Sequence, residues 1–290
     1  MWTLLQIELF KIFKRPRTYI AFVAIAAIVS LIQLALFLDG GTYMDFLMQS
    51  LGSFEVNGPI MNGYFVCYTI LQTLLVHVPL LIALIGGDMI AGEANMGTLR
   101  LLISKPISRS TLLLSKFIAT TIYTLLLLIW MALLALGVSI VVFGTSDLAI
   151  FQSELFIQIP ESDVFWRYLA AFCFAALAMT TVAALSFFLS LFAENSIGPI
   201  VATMSIIIVF TILTTLGLPL FDRINPYLFT SHMLGWKGFF NVQVDAENNV
   251  IQGSIDGVSS IFRSAIILFT HILFFVGGGI LIFRKKDVLS

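Results

Sequence analysis

The sequence predicts an all-α polytopic membrane protein with six membrane-spanning helices and both termini in the cytoplasm. Of its 290 residues, 59% are hydrophobic and only 11% are charged, whereas soluble domains carry about 25% charged residues. Six apolar stretches are each long enough to cross roughly 30 Å of hydrocarbon at about 1.5 Å per residue. The basic residues are concentrated in three of the connections, and this asymmetry sets the orientation.

The first 17 residues are predicted to form an amphipathic helix on the membrane surface, with Pro16 marking the bend into the first span. Its apolar residues recur at helical spacing, at Trp2, Leu5, Leu9, Ile12 and Phe13. Its polar positions include Glu8, Lys11 and Lys14. The apolar stretch that follows lacks a clear small-x-small cleavage site, so we interpret it as a retained span rather than a signal peptide.

The predicted spans cover residues 18–38, 64–87, 117–143, 166–192, 198–221 and 262–283. The turn at 193–199 is so short that spans four and five should form a tight antiparallel hairpin. Segment 222–261 is the longest predicted extracytoplasmic connection, and its aromatic part, 229–240, is expected to be a re-entrant or interfacial helix. Without repeats or low-complexity segments, residues 1–290 are most simply one transmembrane domain.

The charge distribution predicts which connections are cytoplasmic. Eleven of the fifteen basic residues lie in the N-terminal segment, the 88–116 loop and the C-terminal tail. The other three long connections carry four basic and eleven acidic residues. Lysine and arginine are retained on the cytoplasmic side. This places both termini and the 88–116 loop in the cytoplasm of a multi-pass cell-membrane protein.

The 88–116 loop is predicted to contain a short amphipathic helix at residues 96–103. Leu99, Leu102 and Ile103 fall on one side of it and Arg100 on another. Pro106 ends the helix, because a proline disfavours helical geometry in the residue before it. Ser108 is a candidate cap for the next helix, which contains Lys116.

This loop resembles the first cytoplasmic loop of type-2 ATP-binding cassette (ABC) exporter permeases. The shared run is I-A-G-E-x-x-x-G-T-L-x-L-L-x-S-K-P-I-S-R-x-x-x-L-x-S-K. The matching positions are Glu93, Gly97, Thr98, Leu99, Leu102, Pro106, Arg109 and Lys116. The N-terminal run E-L-F-K-I-F-K-R-P-R-T is similar to the helix that leads into the family's first span, and the six-span layout extends the resemblance over the whole chain.

The resemblance implies that the loop is a coupling helix, which docks on a separate ATPase subunit and receives its movement when ATP binds. The implied contact residues are Glu93, Gly97, Thr98, Leu99, Arg100, Leu102, Ile103, Pro106 and Arg109. Glu93 is expected to bond the surface helix through Lys11 or Lys14. The simpler alternative is that these charges only orient the protein, and for Lys105 and Lys116 the two interpretations stay equally open.

The implied assembly holds two ATPase subunits and two permease copies, most simply a homodimer, surrounded by lipid. ATP and Mg²⁺ would bind the ATPase, so this chain itself is expected to hold no cofactor or metal and to perform no catalysis. An extracytoplasmic partner stays possible, and no nucleic-acid partner is expected. The transported substrate cannot be deduced from these residues.

Span two carries a polar stripe made of two adjacent rows. One row is Tyr64, Tyr68 and Gln72, and the other is Thr69, Thr73 and His77. Such a stripe should face protein or water rather than lipid. It would either line a translocation path, between two copies as the resemblance implies, or hold the bundle together through interhelical hydrogen bonds.

Three other functions are alternatives to the exporter. A transporter driven by an ion gradient is disfavoured, because the acidic residues lie at span ends or in connections. A membrane component that couples an ATPase to an extracytoplasmic partner stays open because segment 222–261 is long. An intramembrane enzyme lacks any signature, since no phosphate-binding loop, H-E-x-x-H site or G-x-S-x-G elbow is present.

Overall fold

Six helices in the computed structural model of the chain are long and apolar enough to cross a membrane. The structure describes residues 1–51, 60–104, 106–152, 155–216, 223–244 and 250–285, leaving out the side chains at 46–51, 100, 103, 151–152 and 155–156. The helices are α1 (Trp2–Lys14), α2 (Arg17–Leu51), α3 (Gly63–Thr73), α4 (His77–Asn95), α5 (Thr98–Ile103), α6 (Arg109–Ala132), α7 (Ser139–Phe143), α8 (Glu161–Ser190), α9 (Ile197–Thr215), α10 (Phe229–Met233) and α11 (Val258–Lys285). The predicted number of membrane-spanning helices, six, is confirmed.

The second predicted span is divided into two helices. Helix α3 ends at Thr73, and α4 begins at His77 and continues to Asn95, well past the predicted end at residue 87. Pro79 lies in the first turn of α4, where a missing backbone N–H leaves no helical hydrogen bond unmade. The prediction of one continuous span over 64–87 was therefore wrong.

The third span is the longest, running from Arg109 to Phe143. Its middle, Leu133–Val138, widens into a π-helix between α6 and α7. At the start of the chain, α2 continues beyond the predicted end of span one and bends at Asp39, whose ψ of 19° is not helical. Span five is described only as far as Leu216, so the prediction for 217–221 falls outside the described residues.

Helix α4 lies in the centre of the bundle and packs against both α8 and α9. Two glycines permit this approach. A β-carbon at Gly86 would lie 3.1 Å from the carbonyl oxygen of Ala183, and one at Gly87 would lie 2.9 Å from Cγ1 of Ile200. Ser186 adds a hydrogen bond of 2.8 Å from its hydroxyl to the carbonyl of Ala83. Close helix packing of this kind is typical of small residues in membrane proteins.

A β-hairpin departs from the predicted all-α fold. Strands β1 (Leu148–Gln152) and β2 (Leu155–Ile159) pair in antiparallel register, with Leu148 opposite Ile159. Both strands are mostly apolar, with Gln152 and Gln158 as their polar residues, so the segment lacks the clear alternation that indicates a strand. It lies in the connection between α7 and α8, where the sequence had predicted only a loop.

The connection between α9 and α11 folds back onto the bundle. Helix α10 and a 3₁₀ helix at Leu234–Phe240 cover part of the predicted 229–240 segment. Trp236 and Phe240 were expected at the membrane boundary, but they are buried inside the protein. Tyr68 packs against both, with ring centroids at 5.8 and 5.5 Å.

Arg167 fixes this connection to the start of α8. The residue is fully buried, and its guanidinium donates to the carboxylate of Asp163 at 2.5 Å. It also donates to the carbonyl oxygens of Phe239 and Ser254, both at 2.7 Å. The five N–H donors of arginine can satisfy several acceptors at once, which a lysine cannot do in the same geometry.

Candidate functional site

The connection between α4 and α6 is built as the sequence predicts, with small changes in its bounds. Gly97 follows the end of α4 with a φ of 69°, a left-handed conformation that favours glycine. The short helix begins at Thr98 rather than at residue 96. Pro106 is exposed, and the Ser108 side chain accepts a hydrogen bond from the backbone N–H of Thr111 at 3.1 Å. The predicted cap of α6 is confirmed.

Helix α5 turns a different face outward from the one predicted. Leu99 is only 2% exposed and belongs to the hydrophobic core, and Leu102 packs against that core. Leu101 is 67% exposed and Met96, in the preceding turn, is 54% exposed. The predicted outward ridge containing Leu99 and Leu102 is therefore wrong, because these residues anchor α5 to its own chain. The side chains of Arg100 and Ile103, and all of Lys105, fall outside the described residues.

Four charged side chains meet where α1, α4 and α6 converge. We call this group, Glu8, Lys11, Glu93 and Lys116, the ion cluster. Lys116 Nζ lies 2.8 Å from Glu8 Oε2 and 2.7 Å from Glu93 Oε1. Lys11 Nζ lies 2.9 Å from Glu8 Oε1 and 2.9 Å from Glu93 Oε1. Each lysine thus bridges both carboxylates, and the predicted bond between Glu93 and Lys11 is confirmed.

Three of the four members of the ion cluster are withdrawn from water, and the fourth, Lys11, is half-buried. Lys116 is 1% exposed, Glu8 2% and Glu93 4%. Its two positive and two negative charges compensate each other, as buried charges require. Burial opposes the charged form of Lys11, but its bonds to Glu93 and Glu8 outweigh that cost and raise the pKa of Lys11. One carboxylate oxygen, Glu93 Oε2, is buried without a hydrogen-bond partner in the described part of the chain.

A second charged group joins the same end of α4 to two other elements. Asp88 accepts from Arg15 Nη1 at 2.8 Å and also from the guanidinium of Arg17, at the junction of α1 and α2. Its other oxygen accepts from the Ser196 hydroxyl at 2.5 Å, just before α9. Gly92 lies beneath the carboxylate, where a β-carbon would collide with it. Asp88 therefore ties α4 to α1, α2 and α9.

Arg109 connects the loop to the last helix. Its Nη1 donates to the carbonyl oxygens of Phe283 and Arg284, at 3.4 and 3.3 Å. The carbonyls at a helix C-terminus lack partners within the helix and attract cations. This contact within the chain is sufficient reason for a basic residue at position 109. The resemblance implies a different role, in binding the ATPase.

Lys14, the remaining charged residue of α1, does not take part in the ion cluster. Its Nζ lies 5.3 Å from the centre of the Phe10 ring. Of the two lysines offered as partners for Glu93, only Lys11 makes the contact. The apolar residues of α1 divide between two faces. Ile12 is buried against the bundle, whereas Trp2 and Phe10 are 71% and 65% exposed.

The polar stripe of span two separates into a buried row and an outer row. Tyr64 is 5% exposed, stacks on Tyr168 with centroids 5.9 Å apart, and accepts a hydrogen bond from the Tyr168 hydroxyl through its backbone carbonyl. Tyr68 packs on Trp236, and Gln72 is half-buried. Tyr64 therefore does not line an open path in this structure, because its ring is enclosed by the chain's own aromatic residues.

The outer row stays accessible at the interruption between α3 and α4. Thr73 and His77 are exposed and Thr69 is half-buried. Each of the three side chains bonds to the carbonyl four residues earlier, at 3.0, 3.1 and 3.0 Å for Thr73, His77 and Thr69 respectively. Thr69 and Thr73 bond within α3, whereas the bond of His77 crosses the interruption from α4 to the last residue of α3. Such side-chain bonds to the backbone lower the cost of facing lipid.

The second charged group was not predicted from the sequence; it consists of Asp88, Arg15, Arg17 and Ser196. One signal was present in the sequence. Asp88 directly follows the predicted second span, and Arg15 and Arg17 precede the first span on the same predicted side of the membrane. Among the described residues, no cluster of three or more histidine, cysteine, aspartate or glutamate side chains is arranged to hold a metal ion.

Comparison with known proteins gives a family without an assigned activity. The family model described as "Protein of unknown function (DUF2705)" matches residues 23–289. The chain is also similar to the uncharacterized protein YhcI of Bacillus subtilis (strain 168), with 24% identity over 212 residues. That alignment covers 71% of this chain and 63% of YhcI, so the chain spans less than two thirds of this relative.

Proposed function

The chain belongs to the DUF2705 family, and we propose that it is the membrane-spanning permease subunit of an ABC exporter. In this proposal the termini and the α4–α6 connection face the cytoplasm, α1 lies along the membrane surface, and α5 docks on a separate ATPase. The exporter contains two copies of this chain and two ATPase subunits. The loop motif, with its resemblance to type-2 permeases, motivates the assignment.

The ion cluster is the observation that carries the proposal. A docking helix can transmit movement only if it is firmly attached to the spans that must move. Both ends of the α5 connection are attached: Glu93, before α5, and Lys116, after it, bond each other at 2.7 Å and share Glu8 of α1. A force applied to α5 therefore acts on α4, α6 and α1 together.

Two further contacts extend this attachment. Asp88 links α4 to Ser196 at the start of α9, and Arg109 links α6 to the end of α11. Counting the bond of Asp88 to Arg17, these contacts link α1, α2, α4, α6, α9 and α11. ATP-driven closure of the two ATPase subunits would press the two α5 helices inward and move these attached spans, which would switch the path from inward to outward access.

The outward face of α5 determines the best test. Leu101→Asp places a charge on an exposed position and should leave the fold intact, whereas Leu99→Asp would bury a charge and unfold the connection. The protein is co-expressed with any ABC ATPase whose gene neighbours its own, carried as a hydrolysis-deficient variant, and is purified in the presence of ATP. We expect wild type to co-elute with the ATPase and Leu101→Asp to lose it.

Ile197→Asp is the matched control. Ile197 is 72% exposed and begins α9, where an aspartate is favourable next to the helix N-terminus. This variant should keep the ATPase and elute from size exclusion like wild type. Failure of wild type to bind any neighbouring ATPase, or equal binding by wild type and a folded Leu101→Asp variant, would refute the proposed docking surface.

A second candidate function is favoured by the folded outer region. The β-hairpin and the segment held by Arg167 form ordered surface rather than a bare connection. In this alternative the ATPase drives a change that an extracytoplasmic protein partner receives, and no solute crosses. Retention of ATPase binding and stimulation without movement of any solute, together with capture of an outer partner, would favour it.

A further inference from the structure

The α-helix of span three gives way to the π-helix of Leu133–Val138, which separates α6 from α7. A π-helical turn bonds to the fifth residue along the chain rather than to the fourth, so it holds one residue more than an α-helical turn. Such turns occur mostly as single insertions in α-helices, frequently at functional sites, and helices bend there. The π-helix is therefore a place at which span three can change direction.

Gln33 of α2 bonds to the π-helix from the neighbouring span. Its Nε2 donates to the carbonyl oxygen of Leu134 at 2.9 Å and to the hydroxyl of Ser139 at 3.0 Å. Leu134 lies inside the π-helix and Ser139 is the first residue of α7, so one amide group holds both elements. Gln33 is 8% exposed and carries the one amide side chain of residues 18–38. Polar side chains in membrane-spanning helices commonly bond across helices in this way.

The part of span three before the π-helix is attached to α1, α4 and the first half of α2. Lys116 places the start of α6 in the ion cluster. Farther along α6, the hydroxyl of Tyr123 donates to the carbonyl oxygen of Thr18, and Nε1 of Trp130 donates to that of Phe22, both at 3.1 Å. These bonds join α6 and the beginning of span one into one attached group.

The part of span three after the π-helix is attached to other elements. Gly63, at the start of α3, packs so closely on α7 that a β-carbon there would lie 2.6 Å from Cα of Ile140. The backbone N–H of Gly63 donates to the carbonyl oxygen of Gly144 at 2.9 Å. Asn62 caps α3 and donates from Nδ2 to the carbonyl oxygen of Asp147, just before β1, at 2.8 Å. Helix α7 is thus joined to the start of α3 and to the β-hairpin.

We propose that the π-helix is a hinge in span three and that Gln33 is the latch that holds it in the conformation described here. When the amide releases Leu134 and Ser139, α7 can change its angle to α6, together with the start of α3 and the β-hairpin. Interhelical hydrogen bonds in membranes are individually weak, so the latch can open and close. Because the two ends of span three belong to different attached groups, this movement leaves the ion cluster intact. The hinge lies within one copy of the chain and does not rest on the proposed function.

Distances between two spin labels, measured by pulsed electron paramagnetic resonance on the full-length protein in lipid nanodiscs without an ATPase, test the hinge. Leu126→Cys in α6 and Thr145→Cys after α7 carry the labels, in a background of Cys67→Ala with Cys173→Ala that removes both native thiols. Position 145 lies about 13 Å beyond the middle of the π-helix at about 1.5 Å per residue, so a bend of about 20° displaces its label by about 4–5 Å. We expect a narrow distance distribution when Gln33 is present, and one broader by about this amount in Gln33→Leu.

Three controls locate the movement. Ser30→Ala removes a polar side chain from the exposed face of the same helix, and the distribution should stay narrow. Labels at Ser110→Cys and Ile129→Cys have the same sequence separation but lie within α6, so their distances should stay narrow in Gln33→Leu. Deletion of Gly137 removes the extra residue at a position where a β-carbon would meet open space. Span three should then be α-helical throughout, and the distribution should be narrow even with Gln33→Leu.

Four results would overturn the proposal. A distribution in Gln33→Leu as narrow as that of wild type would show that the amide does not restrain α7. Equal broadening for the label pair within α6 would place the loosening outside the π-helix. Broadening that persists after deletion of Gly137 would show that another element permits the movement. A deletion variant that no longer folds would show that α6 and α7 are not in register for a continuous α-helix.

Discussion

Lys116 Nζ lies 2.7 Å from Glu93 Oε1, although the whole of α5 separates the two residues in the sequence. Lys116 is the one lysine of α6 and is buried, and Glu93 lies in the last turn of α4, so their contact joins the two sides of one connection. Because both also bond neighbours in the ion cluster, the connection is attached to α1 as well. The geometry makes Lys116 the residue on which the integrity of this region most depends.

Lys116→Met should destabilise the protein by about 3–5 kcal/mol, because it removes the more buried of the two positive charges in the ion cluster and leaves two carboxylates compensated only by Lys11. Thermal unfolding in detergent, followed by intrinsic fluorescence, measures the change. Lys14→Met is the control, since Lys14 is exposed and lies outside the ion cluster. Its unfolding temperature should stay close to that of wild type.

The triple variant Glu8→Gln, Glu93→Gln, Lys116→Met distinguishes a charge effect from a packing effect. It leaves Lys11 as the only charge of the ion cluster, and because the Lys11 side chain is 31% exposed, that charge costs less than the two buried carboxylates that Lys116→Met leaves against one lysine. The triple variant should therefore be more stable than Lys116→Met alone. If the triple variant is less stable than the single one, the ion cluster contributes mainly through the shape and packing of its side chains. Coupling to an ATPase should be lost in both variants if the proposed function is correct.

The sequence predicted the number of spans and the local structure of the α5 connection because those features depend on local signals. Apolar length, Pro106 and the capping residue Ser108 are all readable along the chain. The direction of Leu99 was mispredicted because helical spacing defines a face without saying whether protein or solvent covers it. Leu101, on the opposite side, turned out to be the exposed residue.

The tertiary contacts were less accessible to sequence reasoning. The bond from Glu93 to Lys11 was predicted from the resemblance and from charge complementarity, but the position of Lys116 between both carboxylates was not. Pro79 was expected to be able to bend span two, but the division into two helices was not predicted, because a proline is compatible with either a bend or a new helix start. The enclosure of Tyr64 and Trp236 depends on α8 and on segment 234–240, which are distant in sequence.

Gly87→Ala should destabilise the protein by about 1–3 kcal/mol, because its β-carbon would press on the backbone and side chain of Ile200. Gly137→Ala is the matched control, since no atom lies within 4 Å of a β-carbon at that position. Alanine is also the better helix former, so the control should be neutral or slightly stabilising. Equal unfolding temperatures for the two variants would contradict the close packing of α4 and α9.

Arg167→Met should loosen the connection between α9 and α11. The change leaves the carboxylate of Asp163 and the carbonyls of Phe239 and Ser254 without their donor. We expect a loss of about 3–5 kcal/mol in stability and faster limited proteolysis within residues 241–257. Arg167→Lys should rescue only partly, because an ammonium group cannot reproduce the planar set of donors. Arg263→Met, at an exposed position of α11, should match wild type.

The outer row of the second span gives a prediction about water. If Thr73 and His77 face an aqueous path, Thr73→Cys should react with a small charged thiol reagent applied to membranes. The background is Cys67→Ala with Cys173→Ala, which removes both native thiols. Leu273→Cys is the control, because Leu273 is 58% exposed in the middle of α11, where lipid should surround it and suppress the reaction.

The interruption at residues 74–76 is the reason to expect labelling at Thr73. A broken helix within a membrane exposes backbone groups that require water or protein partners, whereas α11 is continuous at Leu273. Equal reactivity at the two positions would mean that the outer row faces lipid and that its hydroxyl bonds to the helix backbone are sufficient. Faster reaction at Thr73, slowed by ATP together with the ATPase, would connect this interruption to the movement of α5.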